Sequence, residues 1–422
     1  MYLNIIKKRL EDVWHGVFGR EGRRSAAFPL LVILVVLAGT GAIYLAHRHA
    51  KFHELETKIQ GDTNPAGGGE ERPGGRDPIV LTRAQTLGGY VPEFHSATLL
   101  PGLGLGVLQI TAFLPNKGEQ PLLVAPTVPQ MTDGSWPVRT GSNDVHGALE
   151  APWSGLFAGV TSPTGLTLSS QWNDKMLTIP VQPQQAASLA EGGLLQGQDT
   201  DTAEVTKTDK GAVLSGTFRA RDFDGHWPSS SDVSVRADLQ ATTLELTVDA
   251  KNAGDQPEPM GLGWHPRFLI QSGDRSKVEL KLPNGEKLLI ASSTPAIPTG
   301  KTGALGAALQ GFAGRGGALG DDSVDEAMVH LKPSASEQGP TAEMRDPAAG
   351  YGLRITAVSA TIREMRVYAP ARGNFVSVGT QTNYDDPFGH EWNADDSPIA
   401  TLLPGQTIEW KVRLELFPIP GR

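Results

Sequence analysis

Residues 408–416 alternate with a period of two. Ile408, Trp410, Val412, Leu414 and Leu416 are apolar, and the charged Glu409, Lys411, Arg413 and Glu415 fall between them. Successive side chains of an extended strand point to opposite faces, so one face is set against a core and the other in water. Leu244, Leu246, Val248 and Ala250 repeat the pattern within 242–254. Weaker versions run through 102–113, 175–182, 231–239, 277–283 and 374–382. Turn residues separate these runs, among them Pro283-Asn284-Gly285 and Pro404-Gly405. No long amphipathic helix pattern follows residue 78, and no repeat of roughly 20–50 residues stands out, which argues against solenoids and propellers. The pattern predicts an all-β chain, a large antiparallel β-sandwich. Residues 304–320, rich in Gly and Ala, read as a long surface loop.

Composition narrows the chemistry. The 50 Gly and 31 Pro have no period, so they punctuate turns and do not build collagen. A hydrophobic share of 39% can supply a sizeable core. With no cysteine, disulfides, thiol nucleophiles and cysteine zinc sites are excluded. A net charge of −9 argues against nucleic acid as a partner.

The N-terminus has a different character. Residues 26–46 form a 21-residue run without a charged side chain. As a helix it would reach about 31 Å, matching a hydrocarbon core of about 30 Å. It reads as one N-terminal transmembrane helix, an uncleaved signal anchor. Lys7, Lys8, Arg9, Arg20, Arg23 and Arg24 precede it, and only Arg48, Lys51 and Lys58 follow closely. The positive-inside rule puts the N-terminus in the cytoplasm and the main domain outside the cytoplasmic (inner) membrane, periplasmic in a Gram-negative cell and otherwise extracytoplasmic. Residues 1–25 form a cytoplasmic amphipathic segment, with Leu3, Ile6, Leu10, Val13, Trp14 and Val17 at helical spacing. That face suits the membrane surface or a membrane-protein partner. Residues 47–78 read as a juxtamembrane segment and flexible Gly/Pro linker, and 79–422 as the sandwich domain.

The most informative short stretch is Gly261-Leu-Gly-Trp-His-Pro-Arg-Phe268, which sets Trp264, His265 and Arg267 together after a strand and a turn. Taken alone, a histidine there also serves as a hydrogen-bonded structural residue. With the preceding Asn252, Gly254 and Pro257, the segment resembles the aldose 1-epimerase (galactose mutarotase) family, where an N-x-G-x-x-P turn precedes an HPYF-like motif. Arg267 stands where the family usually has Tyr. Further matches follow in the family's order: Pro298-Thr-Gly300, Asp325 before His330-Leu331, Arg345-Asp-Pro347 and Leu403-Pro-Gly405. Upstream, Asn143-Asp-Val-His146-Gly147 with Pro152-Trp153 looks like the HG…PW segment. Together these cover roughly 100–419.

The resemblance implies a galactose mutarotase-like supersandwich with a carbohydrate cleft and no metal or organic cofactor. In mutarotation a base takes the anomeric hydroxyl proton while an acid protonates the ring oxygen, so the two must straddle one pyranose. The resemblance makes His265 the acid and His146 a second catalytic histidine, with Asp325, Gln381, Trp264 and Arg267 binding substrate. At the base it breaks down. The stretch from Phe375 aligns with F-x-C-x-E-x-Q, which keeps Gln381 but puts Gly379 where the glutamate belongs. A gain of activity on restoring a glutamate at 379 would show that only the base is missing. Asp385, Asp386 and Glu391 are candidate replacements, Glu326 ranking after them, although acids in this turn-rich segment also serve as loop caps. A strand would carry Asp385 about 20 Å from residue 379 unless the chain turns back. His226 and His390, each close to a Trp, suit a sugar platform or a plain loop. No HExxH, EF-hand or G-x-S-x-G pattern occurs. Three readings stay open: a membrane-anchored mutarotase, an inactive sugar-binding module, and a structural partner in an envelope polysaccharide assembly.

Overall fold

The computed structural model describes residues 72–419 apart from 84–85, 87–90, 116, 133–146, 182–187, 293–295, 334–337 and 393–396. The segments expected at 1–25 and 26–46, and residues 47–71, lie outside the described residues. Among those described, no helix is long and apolar enough to cross a membrane. Residues 72–78 depart from a flexible linker. Pro73 is buried, Pro73–Gly75 form a 3₁₀ turn, and Arg76 reaches Asp199 at 2.8 Å.

Two large sheets dominate, and every pairing between their strands is antiparallel. The first has nine strands in the order Thr202–Thr208, Gly211–Arg221, Ser231–Leu239, Thr243–Asn252, Thr407–Pro418, Tyr351–Ala357, Thr341–Asp346, Glu279–Lys281 and Gly317–Ala318. The second runs Pro298–Gly303, Asn284–Ile290, Val324–Lys332, Glu364–Ala369, Phe375–Gln381, Gly263–Trp264 and Leu149–Glu150, with Arg267–Leu269 also paired to Phe375–Gln381. A separate four-stranded sheet spans Ile79–Pro121. The predicted all-β sandwich is therefore the observed class, and the strand at 231–239 has the predicted bounds.

Alternation explains how the sheets meet. Ile408, Trp410, Val412, Leu414 and Leu416 are all buried. Their strand pairs in register with Thr243–Asn252, whose Leu244, Leu246, Val248 and Ala250 are buried on the same face. Trp410 crosses the interface, its indole N–H donating to the Thr380 carbonyl of the second sheet at 3.0 Å. Val376, Val378 and Thr380 thus face the core, which leaves Ser377, Gly379 and Gln381 on the outer face of the same strand.

Two expectations fail. No turn forms at 283–285. Glu279–Lys281 ends in the first sheet and Asn284–Ile290 begins in the second, so the chain changes sheets at Pro283. Residues 304–320 are not a plain surface loop. They hold the short helix Ala307–Phe312 and the strand Gly317–Ala318, with Leu305, Leu309, Phe312 and Leu319 buried. Four apolar side chains among many small residues are enough to pin the segment to the core.

Candidate functional site

The outer face of the second sheet carries polar residues in rungs, because directly opposed residues share a face. The first rung is Glu364, Gln381, Gly263 and Glu150. The second pairs Ala327 with Arg366 and Arg366 with Gly379. The third is Asp325, Tyr368, Ser377 and Arg267.

His265 follows the Gly263–Trp264 strand and fills the space over Gly379. A Cβ built on Gly379 would lie 1.6 Å from Cδ2 of His265. The imidazole therefore occupies the volume that the glutamate of the family pattern would need. Its Nδ1 lies 3.2 Å from Oε1 of Glu150. Oε2 of Glu150 accepts from the Ser154 hydroxyl at 2.6 Å and from the Gly155 N–H at 2.9 Å. Burial works against charge on Glu150, but His265 and these donors outweigh it and hold the carboxyl below its ordinary value. Burial likewise opposes charge on His265, and Glu150 outweighs it, so the imidazole is held above its ordinary value. An ionised carboxylate only accepts, so Nδ1 carries its proton. Nε2 of His265 is buried and has no hydrogen-bond partner among the described residues.

A second network lies beside this pair. Arg366 donates through Nη1 to Asp385 at 2.5 Å and through Nη2 to Asp325 at 2.8 Å. The chain does turn back after Gln381, since the Gln381 amide reaches Asp385 Oδ1 at 3.3 Å. Asp385 also accepts from the Leu156 N–H at 3.1 Å. Burial raises its carboxyl, but Arg366 and these donors pull it below its ordinary value. The network is graded in depth: the Asp325 side chain is 51% exposed, Arg366 37% and Asp385 2%. Glu364 accepts from the Asp385 N–H at 3.0 Å, and its buried Oε1 has no partner among the described residues. Burial and then Asp385 push its carboxyl well above the usual range.

Gly155 is the hinge between the two networks. Its φ is +72°, and a Cβ there would lie 2.2 Å from Asp385 Oδ1 and 2.7 Å from Gln381 Oε1. Only glycine combines that backbone with that approach. Glu191, in the strand Leu189–Glu191, pairs with Leu156 and so stands over the same turn. It accepts no hydrogen bond among the described residues. Burial, then Asp385 and Glu150, push its carboxyl up to about 7.

His265, Asp325, Gln381 and Asp385 are thus brought together. Arg267 joins them at the third rung, its guanidinium 5.0 Å from the Phe375 ring centre and 6.0 Å from that of Tyr368. Trp264 does not line the site. Its 1%-exposed indole packs edge-on to Phe268 and donates to the Gly147 carbonyl, on the core side of the strand. Asp386 is occupied in tying its loop to the Ala158 N–H at 2.9 Å. Burial, with Glu391 beside it, pushes Asp386 up to about 7. His146 lies outside the described residues. His226 is engaged with the Thr178 carbonyl at 2.7 Å, and His390 lines a groove with Trp172 and Trp392. Glu150, Glu191, Glu364 and Arg366 escaped the sequence reading. Among the described residues no group of three or more His, Asp and Glu side chains is placed to hold a metal ion.

No protein-family model and no curated protein matches the chain. Solved structures do. A galactose mutarotase-like protein from Clostridium acetobutylicum superposes with a TM-score of 0.59 at 13% identity, covering 81% of this chain and 99% of that one. An aldose epimerase homologue from C. elegans gives 0.57 at 16%, covering 78% and 99%. A galactose 1-epimerase from Lactobacillus acidophilus NCFM gives 0.56 at 12%, covering 81% and 99%. The chain therefore has the galactose mutarotase-like fold.

Proposed function

We propose that residues 79–422 form a carbohydrate-recognising, aldose 1-epimerase-like domain, held outside the cytoplasmic membrane by the anchor at 26–46. The observation that carries this reading is the outer face of the second sheet. There Arg366, Asp325, Asp385, Gln381 and the His265–Glu150 pair form graded polar rungs above a dry core. A pyranose offers hydroxyls that both donate and accept, and a set of fixed polar groups is what orients it. Fold analogy with structures named as epimerases adds associational support. The test is a glycan screen followed by calorimetry on the full chain in detergent. Binding that weakens at least tenfold in Asp325→Ala or Arg366→Ala supports the reading. Absence of binding to any mono- or oligosaccharide sinks it, leaving a structural role in an envelope assembly.

A second reading, interconversion of sugar anomers, is favoured by His265. Its imidazole is held above its ordinary value, with Nδ1 committed to Glu150 and a buried Nε2 that has no hydrogen-bond partner among the described residues. A general acid for the ring oxygen needs such a proton, and a bound sugar must open a path to the buried Nε2 to receive it. A partner base must then come from a residue other than Gly379.

A further inference from the structure

We propose that the groove lined by Trp172, His390 and Trp392 is a second sugar subsite, and that the ligand of this protein is a neutral oligosaccharide and not a single sugar. The inference rests on the carbohydrate reading above and names its ligand class. One short segment joins the two places. Asp385 holds Arg366 on the outer face of the second sheet, and Pro387, Phe388, His390 and Trp392 line the groove. Trp392 reaches back to the residue after Asp385, its indole N–H donating to the Asp386 carbonyl at 2.7 Å.

The groove has a volume of about 400 Å³, within the range of roughly 300–1,000 Å³ usual for small-molecule sites. Its aromatic floor is held in place from behind. Tyr384 stacks on Trp392 with ring centres 5.3 Å apart. Phe388 packs against Phe157 at 5.3 Å and Trp227 at 5.9 Å. The Ser170 hydroxyl donates to the Phe388 carbonyl at 3.4 Å, which ties the strand ending in Trp172 to the same loop. A floor fixed in advance loses little freedom when a ligand settles on it. Because the indole N–H of Trp392 is already committed, this half-buried side chain offers a ligand its ring surface. Ring surface is what the C–H face of a pyranose packs against.

The chemistry of the lining selects the ligand. None of the described residues that line the groove is Asp, Glu, Lys or Arg. Glu391 lies in the same loop but sets its carboxyl against Gly389, where an added Cβ would lie 2.2 Å from Oε1. The rim carries Gln171, Asn173, His390 and Thr401, all exposed. Amide, imidazole and hydroxyl groups together both donate and accept, as the hydroxyls of a sugar do. A charged ligand would lose hydration on this floor and meet no opposite charge among the residues that line it. Aromatic floor, uncharged rim and a shared loop with Asp385 thus fit the neutral rings of an oligosaccharide.

The test uses the full chain in a detergent without a sugar headgroup. The probes are glucose, its neutral hexamers cellohexaose, maltohexaose and laminarihexaose, the acidic hexagalacturonate, and the peptide decaproline. Calorimetry reads affinity, and tryptophan emission reads stacking. At least one neutral hexamer is expected to bind about tenfold or more tighter than glucose or hexagalacturonate and to shift the emission. Trp392→Ala is expected to cut that advantage by roughly tenfold, and Trp392→Phe, which keeps an aromatic ring, to retain most of it. His390→Ala changes only an exposed rim residue and is expected to lower hexamer affinity with the unfolding midpoint unchanged. Hexamers that bind no tighter than glucose overturn the inference and leave the carbohydrate reading standing. Hexamer affinity unchanged in both Trp392→Ala and His390→Ala does the same, and so does a groove that takes hexagalacturonate or decaproline in preference. Hexamer binding that needs Trp392 but survives Asp325→Ala and Arg366→Ala upholds the groove and overturns the site assigned to the outer face. A chain that binds none of the sugars overturns both.

Discussion

At Gly379 a missing side chain is a packing requirement. The imidazole of His265 occupies the space that a glutamate there would need. Gly379→Glu must expel His265 from Glu150 and from the sheet face. It is predicted to lower stability by about 1–3 kcal/mol or more and to remove sugar binding, not to add activity. Thermal unfolding and glycan calorimetry on the variant check this. A gain in anomer exchange would show that the ring moves aside easily. The His265–Glu150 pair also carries a pH signature. The imidazole is raised above 6.5, so its contribution is full below that value and lost as pH climbs through the raised value. The carboxyl is lowered below 4.5, so its contribution holds above that value and is lost as pH falls through the lowered value. The destabilisation caused by Glu150→Gln is therefore predicted to be greatest between about pH 4.5 and 6.5 and to shrink in alkali. Equal losses at pH 5.5 and in strong alkali would contradict the ion pair.

Among the elements, those that were legible share one property: an exposed face whose charges mark every second residue. Thr243–Asn252 and Thr407–Pro418 pack one side only, so the core is written in their sequence. His265, Asp325, Gln381 and Asp385 were readable on a different ground, the family resemblance, since each falls in or beside one of its motifs. Glu150 and Glu191 sit at the ends of strands of two and three residues, too short to show any period. Their place in the site is set by the turn at Gly155, after which the Leu156 and Ala158 N–H groups bond Asp385 and Asp386, more than 200 residues away along the chain. Arg366 is one charge of a strand whose other side packs in the core, and nothing local marks that it bridges Asp325 and Asp385. The Ala307–Phe312 helix was missed because small residues outnumber the few that anchor it. Leu309 is 1% exposed, so Leu309→Ala is predicted to cost about 2–5 kcal/mol, a loss that denaturant unfolding measures. A cost near zero would return this segment to the status of a loop.

For the whole molecule, the proposed anchor and the folded domain are separable. Glu71–Arg422 is a compact unit by itself, in which Pro73 is buried and Arg76 bonds Asp199. A chain starting at residue 72 is predicted to stay folded and leave the membrane fraction, while the full chain sediments with it. Sedimentation of the shortened chain with membranes would place the attachment elsewhere. The position of Thr407–Pro418 has a consequence for how the protein is made. It lies between Thr243–Asn252 and Tyr351–Ala357, so the nine-stranded sheet stays in two pieces until residue 418 has emerged. Contacts of such long sequence separation slow folding. A ribosome therefore releases a chain whose largest sheet is still open, and through that interval its apolar strands need shielding from one another.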